Sequence, residues 1–324
     1  MRALVCSEFG PLDGLVVGEI GDPEPPAGEV LVRVEAAGVN FPDLLIVQGL
    51  YQTRPRLPFI PGAEAAGVVE AIGAEVEGVT TGDRVIALGL VGAFAEKWSV
   101  PFTSMIPWPP QLRAAEAAGF GLTFGTAYHA LVDRAALRPG EHLLVLGAAG
   151  GVGSAAVELG KALGARVIAA ASTPAKLEFC RALGADDVID YSQEDLKARV
   201  RELTDGAGAD VVFDPVGGAS SELALRATAW GGRLLVIGFA AGDIPSVPLN
   251  LPLLMERSVV GVYWGAWVER DPHASAANFA VLAEMVAAGR LRPRVSGEFA
   301  LEQHAEAFAA LTRRLALGKV VFIP

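Results

Sequence analysis

Hydrophobic and polar residues follow two different patterns along the 324 residues of the chain. From residue 1 to about residue 122, short β-rich runs such as 29–34 and 66–72 are separated by turns that contain glycine and proline. Short strands interrupted by such turns about every ten residues predict an irregular β-barrel or sandwich. A helical stretch over about 113–131 follows this region.

From residue 141 the pattern changes to continuous hydrophobic runs that alternate with amphipathic helical stretches. Strands that are apolar throughout and alternate with helices form a parallel sheet covered on both faces. Six such strands predict a doubly wound α/β domain of the Rossmann type, which binds nucleotides. The predicted strands are 142–146, 166–170, 187–189, 210–213, 233–237 and 259–262, and the predicted helices are 153–163, 174–183, 193–203 and 220–228.

The alternating pattern fades after residue 263. A helical segment over about 274–288 precedes a strand at 295–299, a helix near 303–317 and a last strand at 319–323. Because these pieces resemble the first region in texture, we predict that the chain returns to it. The predicted catalytic domain therefore comprises residues 1–123 and 264–324, and the predicted dinucleotide-binding domain comprises residues 124–263.

The charge balance narrows the range of partners. Lys and Arg total 26 against 37 Asp and Glu, a formal net charge of -11, and the chain contains no basic block. Binding to nucleic acid through phosphates, or to an anionic membrane surface, is therefore not expected. No stretch free of these four residue types exceeds sixteen residues, whereas a spanning helix needs about 20 apolar residues. Glu8 and the turn at Gly10 interrupt any signal-peptide pattern, so we predict a cytoplasmic protein.

Cysteine and histidine usage favours structural roles for both residue types. Only Cys6 and Cys180 are present, too few and too far apart to indicate a disulfide framework or a zinc ribbon. We expect two reduced thiols that pack as small hydrophobic groups. The four histidines are isolated from one another and are expected to make core or surface hydrogen bonds; they are His129, His142, His273 and His304.

The sharpest local signal lies at residues 143–159, where a hydrophobic strand, a turn of small residues and a helix follow one another. The turn reads Ala-x-Gly-x-x-Gly from Ala148 through Gly150 to Gly153. Small residues let the backbone approach a pyrophosphate, and the N–H groups at the helix N-terminus attract that anion. With the βα array that follows, this turn predicts dinucleotide binding.

The end of the second predicted strand indicates which dinucleotide is bound. An NAD site usually carries Asp or Glu there, about 20 residues beyond the glycine-rich turn, to accept from the ribose 2′-hydroxyl. Residues 169–176 contain no carboxylate, whereas Ser172 can donate a hydrogen bond and Lys176 supplies a cation. We therefore predict NADPH, with a solvated surface charge as the alternative reading of Lys176.

Five motifs in this order resemble those of the medium-chain dehydrogenase/reductase superfamily. Within it, the chain is similar over essentially its whole length to the zinc-free quinone oxidoreductases, the group that includes ζ-crystallin. The motifs are the segments 38–43 (GVNFPD), 61–67 (PGAEAAG), 82–85 (GDRV), 148–153 and 318–321 (GKVV). The resemblance implies a Rossmann nucleotide domain beside an irregular, GroES-like β-barrel catalytic domain.

The same resemblance bears on metal binding. Zinc-dependent alcohol dehydrogenases of the superfamily carry Cys where Asn40 stands and His where Ala63 stands. Asn and Ala supply neither thiolate nor imidazole, and two cysteines do not make a four-cysteine structural site. We therefore expect no metal. Without a Lewis acid to hold an alkoxide, quinones and conjugated enones are favoured as substrates over simple alcohols.

The resemblance also assigns candidate site residues one at a time. Asn40, Asp43 and Tyr51 are the candidate catalytic residues, with Asp43 expected to be structural or orienting. The candidate cofactor-binding residues are Asn40 and Thr126 in the nicotinamide pocket, Gly150, Gly151 and Val152 in the pyrophosphate loop, Ser172, Lys176 and Tyr191 at the 2′-phosphate and adenosine, Gly238, Phe239, Tyr263 and Trp264 near nicotinamide or substrate, and Arg314 near the phosphate end.

The expected reaction is transfer of hydride from NADPH to a quinone or enone carbon held about 3–3.5 Å away. The family often has Tyr where Leu45 stands, so Tyr51 is the nearby phenol that remains. The proton therefore comes from Tyr51 or from water, and a turn-packing role for Tyr51 stays equally open.

Two other functions stay open. One is reduction of 2-enoyl thioesters, for which Arg54 and Arg56 are candidate contacts to coenzyme A. The other is an NADPH-responsive binding or structural protein of the ζ-crystallin type. The resemblance also implies a homodimer formed through edge strands at residues 258–263.

Overall fold

The computed structural model describes all 324 residues, which fold into two compact units. Unit 1 comprises Met1–Leu122 and Arg292–Pro324, and unit 2 comprises Thr123–Leu291. The division predicted from the sequence places residues 123 and 264–291 in the catalytic domain, whereas both belong to unit 2 in the structure. The two units are compact regions of the fold, and the assignment of a catalytic and a dinucleotide-binding domain to them stays a prediction.

The secondary structure consists of fifteen strands and eleven α-helices. The strands are β1 (Arg2–Val5), β2 (Val16–Glu19), β3 (Glu29–Val39), β4 (Glu64–Ile72), β5 (Arg84–Leu88), β6 (Lys97–Pro101), β7 (Met105–Pro107), β8 (His142–Val145), β9 (Arg166–Ala171), β10 (Asp187–Asp190), β11 (Ala209–Asp214), β12 (Thr228–Val236), β13 (Ser258–Gly261), β14 (Val295–Phe299) and β15 (Lys319–Phe322). The helices are α1 (Phe41–Val47), α2 (Ala114–Ala118), α3 (Gly121–Tyr128), α4 (Gly151–Ala162), α5 (Pro174–Ala182), α6 (Leu196–Leu203), α7 (Ala219–Ala227), α8 (Asn250–Leu253), α9 (Trp264–Arg270), α10 (Pro272–Ala287) and α11 (His304–Thr312).

Unit 2 contains a six-stranded sheet in the order β10-β9-β8-β11-β12-β13. Every neighbouring pair is parallel, and the order reverses beside β8, as in a doubly wound nucleotide-binding fold. Ile168, Leu144, Val212 and Leu234 lie opposite one another on four successive strands, and all four are buried. Each such side chain contributes about 1.5–3 kcal/mol through burial. The predicted Rossmann-type fold is confirmed.

The sheet strands begin and end close to the predicted residues, with one exception. Strand β12 starts at Thr228, five residues before the predicted start at 233. Its first half contains the exposed Trp230 and Gly231, which has φ +67°. This half therefore lacks the continuous apolar run by which a buried parallel strand is identified in a sequence.

Unit 1 is built on a sheet in the order β14-β15-β3-β4-β5-β7. The eleven-residue β3 is its centre, because its first part also pairs with β6 while its last part pairs with β15. Register shifts in β3 opposite β4 make the sheet irregular, as predicted. The core beneath it includes three aromatic rings, Phe94, Phe308 and Phe322, whose centroids lie 4.8–6.3 Å apart.

The predicted helix over 113–131 is divided. Helix α2 ends before Gly119, and α3 starts at Gly121 and continues as a π-helical turn, His129–Arg134. At Gly119 a Cβ atom would lie 2.9 Å from Cγ of Lys319, so the close approach of that side chain requires glycine at this position.

Both cysteines are buried and neither forms a disulfide. Cys6 follows β1 and is 1% exposed, and Cys180 lies in α5 with no exposed surface. Burial raises the pKa of the Cys6 thiol and raises the pKa of Cys180 to about 12.

Candidate active site

The glycine-rich turn joins β8 to α4 in unit 2. Gly147 has φ +56°, a left-handed conformation that favours glycine. At Gly153 a Cβ atom would lie 2.3 Å from the carbonyl oxygen of Gly147, so only glycine lets the helix pack this close to the turn. At Gly150, by contrast, the nearest atom to such a Cβ is 3.4 Å away.

The predicted pyrophosphate residues Gly150, Gly151 and Val152 lie at the N-cap and in the first turn of α4, and all three are half-buried. The first N–H groups of a helix have no partner within the helix. Here the first intrahelical bond runs from the N–H of Ser154 to the carbonyl of Gly150. The turn therefore directs free donors and the positive end of the helix dipole to one point, which fits a dinucleotide pyrophosphate.

The predicted adenosine residues meet at the carboxyl ends of β9 and β10. Ser172 follows β9, Lys176 lies half-buried in the first turn of α5, and Tyr191 follows β10 with 37% of its surface exposed. Strand pairing brings them together, because Asp190 is the register partner of Ala171, and the N–H of Tyr191 donates to the Ala171 carbonyl.

Strand pairing also brings to this edge a carboxylate that no local sequence pattern indicated. Asp190 ends β10 beside the end of β9. Its Oδ1 accepts from the backbone N–H of Ser192 at 3.0 Å and from the hydroxyl of Ser192 at 2.6 Å. The Asp190 carboxylate is thus held by the turn that follows its own strand.

Gly238 and Phe239 lie just beyond β12. Phe239 packs on Gly217 so closely that a Cβ atom on Gly217 would lie 2.8 Å from the Phe239 ring. The turn beneath is organised by Asp214, which is buried at the end of β11 and was not predicted as a site residue. Its carboxylate accepts from the N–H groups of Val216 and Gly217 and from the Ser221 hydroxyl, at 2.5–3.0 Å.

Helix α3 places Thr126 beside the start of α9. At the preceding Gly125, a Cβ would lie 2.6 Å from the ring of Trp264, which contacts Phe279 edge-on at 6.2 Å between centroids. Tyr263, the N-cap residue of α9, is 56% exposed. Trp264 is therefore fixed by packing inside unit 2, whereas Tyr263 lies at the surface.

In unit 1, Asn40 and Asp43 form the start of α1. The N–H of Asn40 donates to Oδ2 of Asp43 at 2.7 Å, a capping contact that fixes the first turn. Asp43 is 1% exposed, and its Oδ1 atom has no hydrogen-bond partner. Burial raises the pKa of Asp43 to about 7, and the nearby Glu64 adds to this rise, while the Asn40 N–H and Lys319 oppose it.

Glu64 and Lys319 complete a buried polar cluster with Asn40 and Asp43. The ammonium of Lys319 donates to Oε1 of Glu64 at 2.7 Å, and their side chains are 4% and 0% exposed. The Oε2 atom of Glu64 accepts from the N–H of Leu122 at 2.9 Å. Both residues lie within the motifs quoted above, but neither was predicted to have a role. Their separation of 255 positions hides the ion pair from any local pattern.

The other predicted residues of unit 1 follow helices α1 and α11. Tyr51 follows α1 and packs, partly buried, against the hydrophobic core of unit 1. Arg314 follows α11, is exposed and has φ +57°. Arg54 and Arg56 are exposed on the loop after Tyr51. No helix of the chain combines the length and apolar character needed to cross a bilayer.

Two family models match the chain, the alcohol dehydrogenase GroES-like domain over residues 26–110 and the zinc-binding dehydrogenase model over residues 151–281. The quinone oxidoreductase-like protein 2 homolog of Nematostella vectensis is 39% identical over 99% of this chain and 88% of its own length. The quinone oxidoreductase of Pseudomonas aeruginosa is 36% identical over 93% of each protein.

Solved structures agree with these relatives. The quinone oxidoreductase of Pseudomonas syringae pv. Tomato DC3000 has a TM-score of 0.93 at 34% identity, covering 100% of this chain and 99% of that one. The Escherichia coli quinone oxidoreductase complexed with NADPH has a TM-score of 0.93 at 28% identity, covering 100% of both chains.

A six-stranded parallel sheet with a glycine-rich turn after β8, together with a separate GroES-like unit, defines the medium-chain dehydrogenase/reductase class. Within that class, the chain belongs to the zinc-free quinone oxidoreductase group, as its motifs indicated, and it is an oxidoreductase.

The side chains present do not fit the metal named by the zinc-binding dehydrogenase model. Asn40 and Ala63 stand at the two positions discussed above, and no group of three or more His, Cys, Asp or Glu side chains gathers anywhere in the chain. The cation that Glu64 contacts is the ammonium of Lys319. Zinc therefore takes no part in the function proposed below.

Proposed function

We propose that this protein is an NADPH-dependent reductase that transfers hydride to quinones or α,β-unsaturated carbonyl compounds. The observation that carries the proposal is the end of β9, where Ser172 and Lys176 follow the strand and residues 172–176 contain no carboxylate. The Asp190 carboxylate, which β10 brings beside this end, is held by hydrogen bonds from Ser192. A 2′-phosphate gains a hydrogen-bond donor and a cation there. The NADPH complex of the Escherichia coli relative supports the same cofactor.

NADPH, when bound, supplies the hydride. Backbone N–H groups of Gly151 and Val152, with Gly150 leaving room, hold the pyrophosphate, and Ser172, Lys176 and Tyr191 hold the adenosine and its phosphate. The nicotinamide end is assigned to Asn40, Thr126, Gly238, Phe239, Tyr263 and Trp264, and Arg314 to the phosphate end. Asp43 orients Asn40 by capping α1. The proton that completes reduction comes from water or from Tyr51.

The cofactor assignment is tested by titrating NADPH and NADH against the Lys176→Glu variant. We expect NADPH affinity to fall by about 10-fold or more, because a carboxylate beside the 2′-phosphate repels it, while NADH affinity stays unchanged. Lys197→Glu, on α6, is the control for the same change of charge. Unchanged NADPH binding in Lys176→Glu contradicts the assignment.

The substrate assignment is tested by following NADPH oxidation with quinones, simple enones and 2-enoyl-CoA thioesters. Turnover of quinones or enones is expected. Preferred turnover of the thioesters would identify a thioester reductase instead, with Arg54 and Arg56 as contacts to coenzyme A. NADPH binding without turnover of any acceptor would favour a binding or structural protein.

We also propose a homodimer through residues 258–263, in a cytoplasmic protein. Strand β13 ends the parallel sheet, so one of its edges has no strand partner within the chain. Val259 on this strand is 46% exposed. Light scattering at micromolar concentration should give a dimer, and Val259→Lys should shift it toward monomer. Leu223→Lys is the control for the added charge, because Leu223 lies on α7 and is also 46% exposed in the parent protein. A monomeric parent protein refutes this proposal.

A further inference from the structure

The hydrogen-bonding capacity of Asn40 is almost fully used inside unit 1. Its Nδ2 group donates to Oε1 of Glu64 at 2.9 Å and to the carbonyl of Gly38 at 3.2 Å, which occupies both hydrogens. Its Oδ1 atom accepts from the ammonium of Lys319 at 2.7 Å. An amide oxygen has two lone pairs, so one lone pair on Oδ1 is the only capacity left to Asn40.

Lys319 fixes which way the Asn40 amide faces. Its three N–H donors go to Asn40 Oδ1, Glu64 Oε1 and the Val39 carbonyl, at 2.7, 2.7 and 3.0 Å. An amide turned by 180° would place its NH₂ group against this ammonium and its oxygen against the Glu64 carboxylate. Both contacts would be repulsive in a buried site, where unpaired polar groups cost most.

Strand pairing and a glycine place these side chains in contact. Val320 of β15 pairs with Val39 of β3, which brings the adjoining Lys319 beside Asn40. At Gly38 a Cβ would lie 2.2 Å from the Ala118 carbonyl oxygen and 2.6 Å from Oε1 of Glu64. Any larger residue there would displace the Glu64 carboxylate from the amide.

We propose that Lys319 and Glu64 are positioning residues that hold Asn40 as a hydrogen-bond acceptor for the nicotinamide end of the cofactor. The inference rests on the proposed function, which assigns Asn40 to that end. The hydroxyl and carboxamide N–H groups of a nicotinamide riboside are donors that match the remaining lone pair. Asn40 has no hydrogen left to donate, so it does not stabilise an enolate or hydroquinone oxygen on the substrate.

The test is a cycle of variants. Asn40→Ala is made in the parent protein and in the Glu64→Gln/Lys319→Met variant, which removes both buried charges together. NADPH affinity is measured by fluorescence titration, kcat and KM by NADPH oxidation, and folding by circular dichroism. In the parent protein, Asn40→Ala should weaken NADPH binding about 10-fold, the effect of one hydrogen bond. In the Glu64→Gln/Lys319→Met background, Asn40→Ala should weaken NADPH binding by less than about 2-fold, because the Asn40 amide is no longer held in position there.

The outcomes separate this proposal from the function on which it rests. An equal loss in both backgrounds refutes the positioning role but leaves the NADPH-dependent reductase intact. No loss of NADPH affinity in the parent background refutes the contact of Asn40 with the cofactor and the positioning role with it. Turnover of quinones or enones is measured in the same samples and reports on the proposed reaction separately.

Asn40→Asp gives a second test if the double variant does not fold. The introduced carboxyl faces Oε1 of Glu64 and the Gly38 carbonyl, two acceptors, and only its protonated form can donate as the amide does. Asp43 adds a further acid to the cluster, and Lys319 supplies its single cation. When NADPH affinity is measured relative to the parent protein at each pH between about 5 and 9, Asn40→Asp should bind best at the lowest pH and lose about 10-fold or more as the introduced carboxyl ionises. Parent-like affinity across this range refutes the proposal.

Discussion

Replacing Asp43 by Asn should change how the stability of the protein depends on pH. The carboxyl is buried, and its pKa is raised from 3.8 to about 7 in the folded state. Keeping it ionised in the fold therefore costs roughly 4 kcal/mol. The folded chain binds this proton more tightly than the unfolded chain, so stability is lost as pH rises from about 3.8 to about 7, and the loss levels off above that. Asp43→Asn removes this titration.

The assay is urea unfolding of the parent protein and Asp43→Asn at several pH values between about 5 and 8. The stability of the parent protein relative to the variant should fall by roughly 3 kcal/mol across this range. Asn retains an oxygen that can accept from the Asn40 N–H, so the cap of α1 is kept. Asp13→Asn, at an exposed position, controls for the change in net charge. A stability difference that does not vary with pH refutes the reasoning.

Two further predictions concern unit 2. Gly153→Ala should weaken NADPH binding by about 10-fold or more and lower Tm, because the added methyl group meets the Gly147 carbonyl at 2.3 Å; Gly14→Ala, with open space around it, should change neither, and an unaffected Gly153→Ala would contradict the close packing. Leu144→Ala should lower the free energy of unfolding by about 2–5 kcal/mol in urea titrations, whereas Leu249→Ala, 80% exposed in the parent protein, should stay within about 0.5 kcal/mol. Equal effects of the two leucine variants would refute the assignment of Leu144 to the core.

Unit 2 could be predicted closely from the sequence because its signals are local. A parallel strand covered on both faces reads as an unbroken apolar run, and the turn before α4 carries its own glycine spacing. The prediction of site residues in unit 2 was less complete where the local signal is absent. Asp190 reaches the end of β9 through strand pairing, and Asp214 organises a turn that its own neighbours in sequence do not identify.

Unit 1 was harder to predict because its structure depends on distant pairings. The two partners of one edge of β3, β6 and β15, lie more than 200 residues apart in the chain. The Glu64–Lys319 ion pair follows from that pairing, so neither residue could be assigned from its own motif. For Asp43, the family resemblance alone implied a structural or orienting role, and in the structure it lies three residues after the N-cap residue Asn40 and accepts from its N–H.

The burial of both thiols has a consequence if the proposed acceptors, quinones and enones, are the substrates. Such acceptors are electrophiles, and the thiolate form of cysteine adds to them covalently. Cys6 and Cys180 are closed to solvent, and burial keeps each in its protonated, unreactive form at neutral pH. We therefore expect both thiols to resist alkylation by the compounds that the protein is proposed to reduce.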